Sequence, residues 1–201
     1  MSLLDVPDGY YDLPQGKLAN LVTYLQMHAP PPRSLRHLEP PYRLVPLPRG
    51  DLAGYRELYR QIGNDWMWGS RAIMADDELH AILAHPDVEP FALYEGETRL
   101  GLLELDFRED GECELAFFGL IAPAIGKGLG LALLDEGIRL AWGRSIRRFW
   151  VHTCTFDSPK ALPFYVRSGF VAYARKIEIH DDYRLTGALP RTAAPHIPII
   201  D

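Results

Sequence analysis

Gly126-Lys127-Gly128-Leu129-Gly130 is the stretch of sequence that decides the fold. It lies between an apolar, strand-like run at 115–121 and a helix-like run at 129–142. Glycines let the backbone turn tightly and approach a ligand closely, because no Cβ stands in the way. The free N–H groups at the start of a helix and the positive end of its dipole attract anions. The sequence therefore predicts a strand, a glycine loop and a helix that together bind a phosphate or pyrophosphate.

Two better-known phosphate motifs do not fit this loop. The dinucleotide fingerprint G-x-G-x-x-G requires its third glycine where Leu131 stands, and no acidic residue at a strand end completes it about 20 residues later. A P-loop requires a lysine after its last glycine, but Lys127 lies inside the glycine run. An ordinary turn before a helix needs only one or two glycines, so three favour a ligand without establishing one.

Composition limits the class of protein. The 201 residues suit one domain with a possible extension, and 47% of them are hydrophobic, which is enough for a substantial core. The net charge of −6 argues against broad nucleic-acid binding, which needs a basic surface. Cys113 and Cys154 are too few for a disulfide framework or a cysteine-based zinc site, so we expect reduced core cysteines and no metal.

The termini and the hydropathy pattern predict a cytoplasmic protein. Residues 1–12 lack the positive start and the long apolar run of a signal peptide. No apolar stretch in the sequence has the length that spans a membrane. We therefore expect neither a membrane partner nor a nucleic-acid partner.

The pattern of apolar residues predicts one mixed α/β domain at 41–185 between an N-terminal extension, 1–40, and a C-terminal tail, 186–201. Residues 17–27 form a strand or a short helix, and extended segments such as 17–27 or 196–200 could pair across a homodimer. In the helix after the glycine loop, Asp135 and Glu136 fall away from the apolar stripe and are predicted to be exposed. The domain is predicted to contain strands at 42–47, 90–94, 99–107, 112–121, 148–155 and 170–179, and helices at 51–62, 76–83, 129–142 and 158–168.

Two windows of the domain carry a family resemblance. Residues 125–130, IGKGLG, follow the pattern [QR]-x-x-G-x-[GA], in which Gly128 and Gly130 match and Ile125 replaces the usual Arg or Gln. A strand at 149–155 is followed by DSPKA at 157–161, by Phe164-Tyr165 and by Gly169-Phe170. On these residues, at this separation, the chain resembles the GNAT superfamily of acyl-CoA-dependent N-acyltransferases across roughly 41–180.

The resemblance implies a fold and a cosubstrate. The fold is a single mixed, mostly antiparallel sheet with helices on both faces, whose fourth and fifth strands, 114–121 and 149–155, splay apart. Acetyl-CoA would place its pyrophosphate on the glycine loop and its pantetheine arm in the gap between those strands. The family often has Asn where Thr155 or Asp157 stands. The implied coenzyme A contacts are Leu120, Ile121, Ile125, Gly126, Lys127, Gly128, Leu129, Gly130, Thr155, Asp157 and Lys160.

The resemblance also implies catalytic groups. Tyr165 stands where family members carry the tyrosine that donates a proton to the sulfur, and a phenol with an ordinary pKa near 10 is protonated at neutral pH. Its alternative is a packing tyrosine beside Phe164. Glu114 and His152 are the candidates for the base, although a strand carboxylate is usually solvated and a lone histidine is usually structural.

An aromatic loop at 65–71 is the candidate acceptor site. Trp66 and Trp68 could hold an aromatic or cationic acceptor through stacking or cation–π contacts, and Arg71 could pair with a carboxylate. The alternative is an aromatic lid packed onto the core.

These residues together predict an acetyl-CoA-dependent N-acetyltransferase of a small-molecule amine. Two other functions stay open at this point. One is a non-catalytic acyl-CoA sensor or interaction module, which the departures at Ile125 and Asp157 allow. The other is a protein N-acetyltransferase, which would need an open acceptor groove.

Overall fold

The computed structural model describes residues 7–200, which form one seven-stranded sheet in the order β2-β3-β4-β5-β6-β1-β7. Every neighbouring pair is antiparallel except β5 and β6, which are parallel. The prediction of a single mixed, mostly antiparallel sheet is therefore confirmed. The strands are β1 Lys17–Met27, β2 Tyr42–Pro46, β3 Val88–Glu95, β4 Thr98–Asp106, β5 Glu112–Leu120, β6 Arg148–Cys154 and β7 Val171–Asp181.

Helices cover both faces of this sheet, as predicted. The larger core packs Leu133 and Ile138 of α4 against one face, and Tyr165 of α5 joins the same cluster. The second core packs Tyr59 of α1 and Leu79 of α3 against the other face. The helices are α1 Leu52–Gly63, α2 Ser70–Ile73, α3 Asp76–Leu83, α4 Leu129–Trp142 and α5 Ala161–Arg167, with short 3-10 turns at Asn64–Trp66 and Ala122–Ala124.

Part of the N-terminal segment forms an interior strand of the sheet, next to the edge strand β7. Residues 17–27, which the sequence left open between strand and helix, form β1, and this strand pairs with β6 on one side and with β7 on the other. Because both edges of β1 are used within the chain, β1 has no free edge for a partner subunit. A homodimer stays a prediction that would need another surface.

The prediction that Asp135 is exposed is wrong. Its side chain is fully buried and forms a bidentate ion pair with Arg33, at 2.6 and 2.9 Å, while the backbone N–H of Arg36 donates to it at 2.8 Å. Glu136, also predicted to be exposed, is half-buried. The helical pattern correctly placed both residues off the apolar stripe, but the segment after β1 crosses that side of α4 and covers it.

The last helix begins later than predicted. It starts at Ala161 instead of Ser158, since the Ala161 N–H closes a turn onto the Ser158 carbonyl at 2.8 Å. Pro163 therefore lies in the first turn, where its missing N–H removes no intrahelical hydrogen bond. Among the helices of residues 7–200, none combines the length and the apolar character that crossing a membrane requires. The prediction that residues 1–12 lack a signal peptide falls partly on residues 1–6, which lie outside the described part of the chain.

Candidate active site

A gap between β5 and β6 forms the site. The two strands pair only between Glu112–Glu114 and Arg148–Trp150, and beyond these residues no cross-strand partner is formed. The predicted splay of the fourth and fifth strands of the family fold is therefore present. A cavity of about 480 Å³ fills the gap, lined by α5 on one face of the sheet and by the aromatic loop on the other. The cavity thus extends to both faces of the sheet.

A bulge lies on the β5 side of this gap. In the β4–β5 ladder, Glu104 pairs with Phe117 while its neighbour Leu105 pairs with Leu115, so Ala116 is the extra residue. A bulge bends the strand and re-aims its side chains and backbone groups. As a result Leu115 packs in one core and Phe117 contacts the other, and all three residues line the cavity.

The glycine loop lies at the edge of the cavity. Ile125 before it and Gly130 after it both line the cavity. Gly126 and Gly128 have φ values of 87° and 79°, a conformation that L side chains rarely adopt, and nothing lies within 4 Å of the place where a Cβ would stand. The loop runs directly into α4, whose first N–H groups have no intrahelical partner. This open, donor-rich loop fits an anionic group.

The predicted coenzyme A contacts divide into two groups. Leu120, Ile125, Gly130, Asp157 and Lys160 line the cavity. The others do not line it but are neighbours in sequence of residues that do, namely Ile121, Gly126, Lys127, Gly128, Leu129 and Thr155. All of these contacts stay predictions.

Tyr165 lies inside the cavity on the α5 side. Its ring is only 6% exposed and contacts the rings of Phe118, Phe164 and Phe170. Burial raises the pKa of the Tyr165 hydroxyl well above its ordinary value, and the nearby Asp157 carboxylate raises it further. The aromatic neighbours explain why the ring packs here, and the raised pKa keeps the hydroxyl protonated.

Glu114 and His152, predicted separately as candidate bases, lie together. Oε1 of Glu114 is 3.2 Å from Nδ1 of His152 across the last paired residues of β5 and β6. The His152 ring lines the cavity, and it also packs against Tyr24 with 5.5 Å between ring centroids. A carboxylate on Nδ1 fixes the imidazole orientation and leaves Nε2 able to accept a proton.

The aromatic loop is fastened to the end of β6. Nε1 of Trp68 donates to Asp157 at 3.1 Å, and the same carboxylate accepts from the Thr153 hydroxyl at 2.7 Å and from the Cys154 N–H at 2.9 Å. Trp66 and Trp68 both line the cavity. Protein groups therefore already occupy the Asp157 carboxylate. Its position favours a structural role, in which it joins the aromatic loop to β6, over a direct cofactor contact.

Arg71 lies away from the cavity. Its side chain is 9% exposed and pairs with the fully buried Glu104 at 2.8 Å, and Glu104 also accepts from the Tyr55 hydroxyl at 2.5 Å. A guanidinium already neutralised in the core is not available to a substrate carboxylate. The geometry does not favour the predicted acceptor-binding role of Arg71, which came from its place beside the two tryptophans.

The sequence did not identify the residues that close the acceptor side. Asn20 of β1, Glu178 of β7 and Tyr183 after it all line the cavity. Tyr183 presses against Gly69, where an added Cβ would stand 2.2 Å from its ring. One signal was present, because a polar Asn20 stands between Leu18 and Val22 on one face of a strand.

The two cysteines are expected to be unreactive in the folded protein. Burial, with the Asp157 charge as the next cause, raises the pKa of Cys154 to about 12, and burial likewise raises the pKa of Cys113. Since the thiolate is the nucleophile, iodoacetamide at pH 8 should label Cys154 at least about 10²-fold more slowly than in denaturant. Equal rates of Cys154 labelling in the folded and unfolded protein would contradict the buried environment of this thiol. Cys113, which is fully buried, reports in the same sample whether the protein is folded, because it should be labelled only in denaturant.

A family model for the acetyltransferase (GNAT) family matches residues 50–170. This match covers more than half of the chain and includes the separated strands, the glycine loop and Tyr165. The chain therefore belongs to the GNAT acetyltransferase family, and the resemblance read from its two motifs is confirmed. Members of this family typically use acetyl-CoA. No curated protein sequence matches the chain.

Solved structures share the fold at low identity. A functionally unknown conserved protein from Staphylococcus epidermidis is 16% identical with a TM-score of 0.56, over 83% of this chain and 63% of that one. A GCN5-related N-acetyltransferase from Sphaerobacter thermophilus is 16% identical with a TM-score of 0.57, over 81% of this chain and 51% of that one. An aminoglycoside acetyltransferase from an uncultured soil metagenomic sample is 16% identical with a TM-score of 0.53, over 64% and 87%.

The chain thus spans less than two thirds of the length of the first two of these proteins. All three solved structures are only 16% identical to this chain, so the likeness shows a shared fold and does not identify a substrate. Family membership and the acetyltransferase neighbours together support an acyltransferase.

Proposed function

We propose that the chain is an acetyl-CoA-dependent N-acetyltransferase that acetylates the amine of a small molecule by direct attack on the thioester. The observation that carries the proposal is a single cavity, lined by the ring of Tyr165, the ring of His152 and the edge of the glycine loop. A proton donor, a proton acceptor and an anion site are the groups that this reaction uses.

The residues present fit acetyl-CoA. The positive-φ glycines leave open space over the loop, and the exposed Lys127 adds charge beside it. Lys160 and Arg167 line the cavity on the α5 side and make that side basic. The edge of β5 beyond Glu114 has no strand partner on the gap side and can hydrogen-bond an extended arm. When bound, acetyl-CoA supplies an activated acetyl group and a thiolate leaving group.

His152 and Glu114 would act on the acceptor amine. Nε2 of His152 accepts the proton that the amine loses as the new N–C bond forms, while Glu114 holds Nδ1. Backbone N–H groups at the bulged edge of β5 are donors for the carbonyl oxygen as its charge grows. Glu114 is a positioning residue, because it acts through the imidazole.

Tyr165 would act on the leaving group. A phenol is protonated at neutral pH even at its ordinary pKa, so Tyr165 holds a proton that it can give to the sulfur as the C–S bond breaks. The buried, aromatic surroundings also exclude water, which would otherwise compete with the amine.

Thiol release from acetyl-CoA with a panel of small amines tests the proposal. The expected result is release that depends on the amine, together with an acetylated amine in the mass spectrum. Tight coenzyme A binding without turnover by any acceptor would instead support the non-catalytic sensor. Turnover only with protein or peptide acceptors would support a protein N-acetyltransferase, although Trp66, Trp68 and Tyr183 around the acceptor side favour a small molecule.

Replacing Glu114 by Gln is expected to lower kcat about tenfold, because the amide no longer fixes the imidazole as a carboxylate does. The binding of coenzyme A should not change. Measuring kcat across pH 6–9 separates this role from a structural one, since lost orientation should alter the acidic limb of the profile. The matched control is Glu97→Gln, which removes a carboxylate that is 99% exposed. Equal kcat and identical profiles for wild type and Glu114→Gln would contradict the role.

A further inference from the structure

The acceptor side of the cavity has an acidic corner between two strands. Asn20 of β1 and Glu178 of β7 are cross-strand partners, and Nδ2 of Asn20 donates to Oε2 of Glu178 at 2.8 Å. Both residues line the cavity. Neither belongs to the glycine loop, to the Tyr165 region or to the Glu114–His152 pair, so the catalytic proposal leaves this corner without a role.

The Asn20 amide is only half satisfied. A carboxylate cannot donate at neutral pH, so the partner fixes the amide with Nδ2 towards Glu178 and Oδ1 away from it. Asn20 is 4% exposed, and its Oδ1 has no hydrogen-bond partner among residues 7–200. An unpaired buried acceptor costs free energy. Because Oδ1 is itself shielded from solvent, the amide holds Glu178 in place, and the exposed Glu178 carboxylate is the group that a ligand N–H at this corner can meet.

Aromatic rings surround the same corner. The rings of His180 and Tyr183 stack with 4.8 Å between centroids, and Phe156 meets His180 edge-on at 5.9 Å. All three line the cavity. Aromatic faces beside a carboxylate form a favourable environment for an alkylammonium group, through cation–π attraction and a charge-assisted hydrogen bond.

The charges in the cavity separate its two ligands. Among the lining residues, Lys160 and Arg167 are basic on the α5 side and Glu178 is acidic on the β1–β7 side. The Asp157 carboxylate is engaged by three protein hydrogen bonds. Lys176, two residues before Glu178, does not line the cavity, and its Nζ lies over the Tyr24 ring at 4.2 Å. The anionic cosubstrate is therefore favoured at one end and a cation at the other. Along β1, Tyr24 pairs with His152, and Asn20 lies four residues beyond it. A strand rises roughly 3.3 Å per residue, so the acidic corner is displaced about 13 Å along β1 from the level of His152.

We propose that Glu178, held in place by Asn20, binds a second, protonated amino group of the acceptor, so that the acceptor is a diamine or polyamine. One amine reacts near His152 while the other stays charged in the acidic corner. This inference rests on the proposed N-acetyltransferase function for the reacting amine, but the binding of the second amine does not require turnover.

Calorimetric titration of the full chain, saturated with coenzyme A, tests the inference separately from catalysis. The probes are α,ω-diamines of increasing chain length and monoamines of the same lengths. The variant is Glu178→Gln, which keeps the hydrogen bond to Asn20 and removes the charge. The matched control is Asp181→Asn on the same strand, whose carboxylate forms a surface pair with Lys17 at 2.6 Å.

The expected result is that a long diamine binds wild type and Asp181→Asn equally, and binds Glu178→Gln about tenfold more weakly, as loss of one charge-assisted hydrogen bond predicts. Monoamines should bind all three proteins alike. If diamines and monoamines lose affinity equally in Glu178→Gln, or if diamines bind no better than monoamines to wild type, the inference is overturned. Diamine binding without any thiol release would overturn the proposed function and leave the cation site standing.

Discussion

Replacing Tyr165 by Phe is expected to lower kcat on the order of 10²-fold, the usual contribution of a positioned general acid. The phenyl ring keeps the contacts with Phe118, Phe164 and Phe170, so the variant should fold and should bind coenzyme A as wild type does. Only the hydroxyl group, and with it the proton donor, is lost. Steady-state thiol release gives kcat, and calorimetry with coenzyme A gives the dissociation constant.

The matched control for this variant is Tyr173→Phe on β7. Tyr173 is 43% exposed and does not line the cavity, so its variant should keep the wild-type kcat. An unchanged kcat in Tyr165→Phe would remove the acid role. A loss of coenzyme A affinity that matches the loss of kcat would assign Tyr165 to binding instead.

Replacing Arg184 by Ala is expected to lower the free energy of unfolding by about 3–5 kcal/mol, as loss of one partner of a buried ion pair does. Arg184 and Asp182 are 3% and 2% exposed and pair at 2.7 Å. The Arg184 guanidinium also donates to the carbonyls of Ala193, Ala194 and Ile197, so it fastens the C-terminal tail to the end of β7. Urea denaturation at pH 7 measures the change.

The pH dependence of stability gives a second readout of this pair. Hydrogen bonds from Arg184 lower the pKa of the Asp182 carboxyl. Its contribution is therefore present above the unfolded pKa, near 3.9, and is lost as the pH falls through the lower folded value. Arg184→Ala should lack this acid-dependent part. The control Arg147→Ala removes an exposed pair with Asp110 and should cost about 0–1 kcal/mol. Equal losses of unfolding free energy in the two variants would contradict the stabilising role of the buried Arg184–Asp182 pair.

The main features of the fold were predictable from short-range patterns. The glycine run followed by an amphipathic stretch predicted the loop and α4, and alternating residues predicted the strands of the splayed pair. The loop depends on the backbone freedom of glycine, and the helices and strands depend on the periodicity of apolar residues. Both properties can be read from the local sequence. Tyr165 was found because its motif stands at a fixed separation from the glycine loop.

Long-range pairing was not predictable in the same way. The local sequence of residues 17–27 does not predict that they lie between β6 and β7. That position depends on pairing with strands more than 100 residues away. The wrong assignment of Asp135 has the same origin, since Arg33 covers it from a segment about 100 residues away. The acidic corner at Asn20 and Glu178 was missed because its two halves come from opposite ends of the chain.

Hydrogen exchange of the full chain with and without coenzyme A tests the central claim most directly, because the claim places the cosubstrate on specific backbone amides. The account predicts slower exchange at 126–131, where the loop enters α4, and along 115–120 of β5 facing the gap. Amides of β2 and β3, at the far edge of the sheet, should exchange unchanged. Protection at that far edge, or no protection at the glycine loop under saturating coenzyme A, would contradict the account.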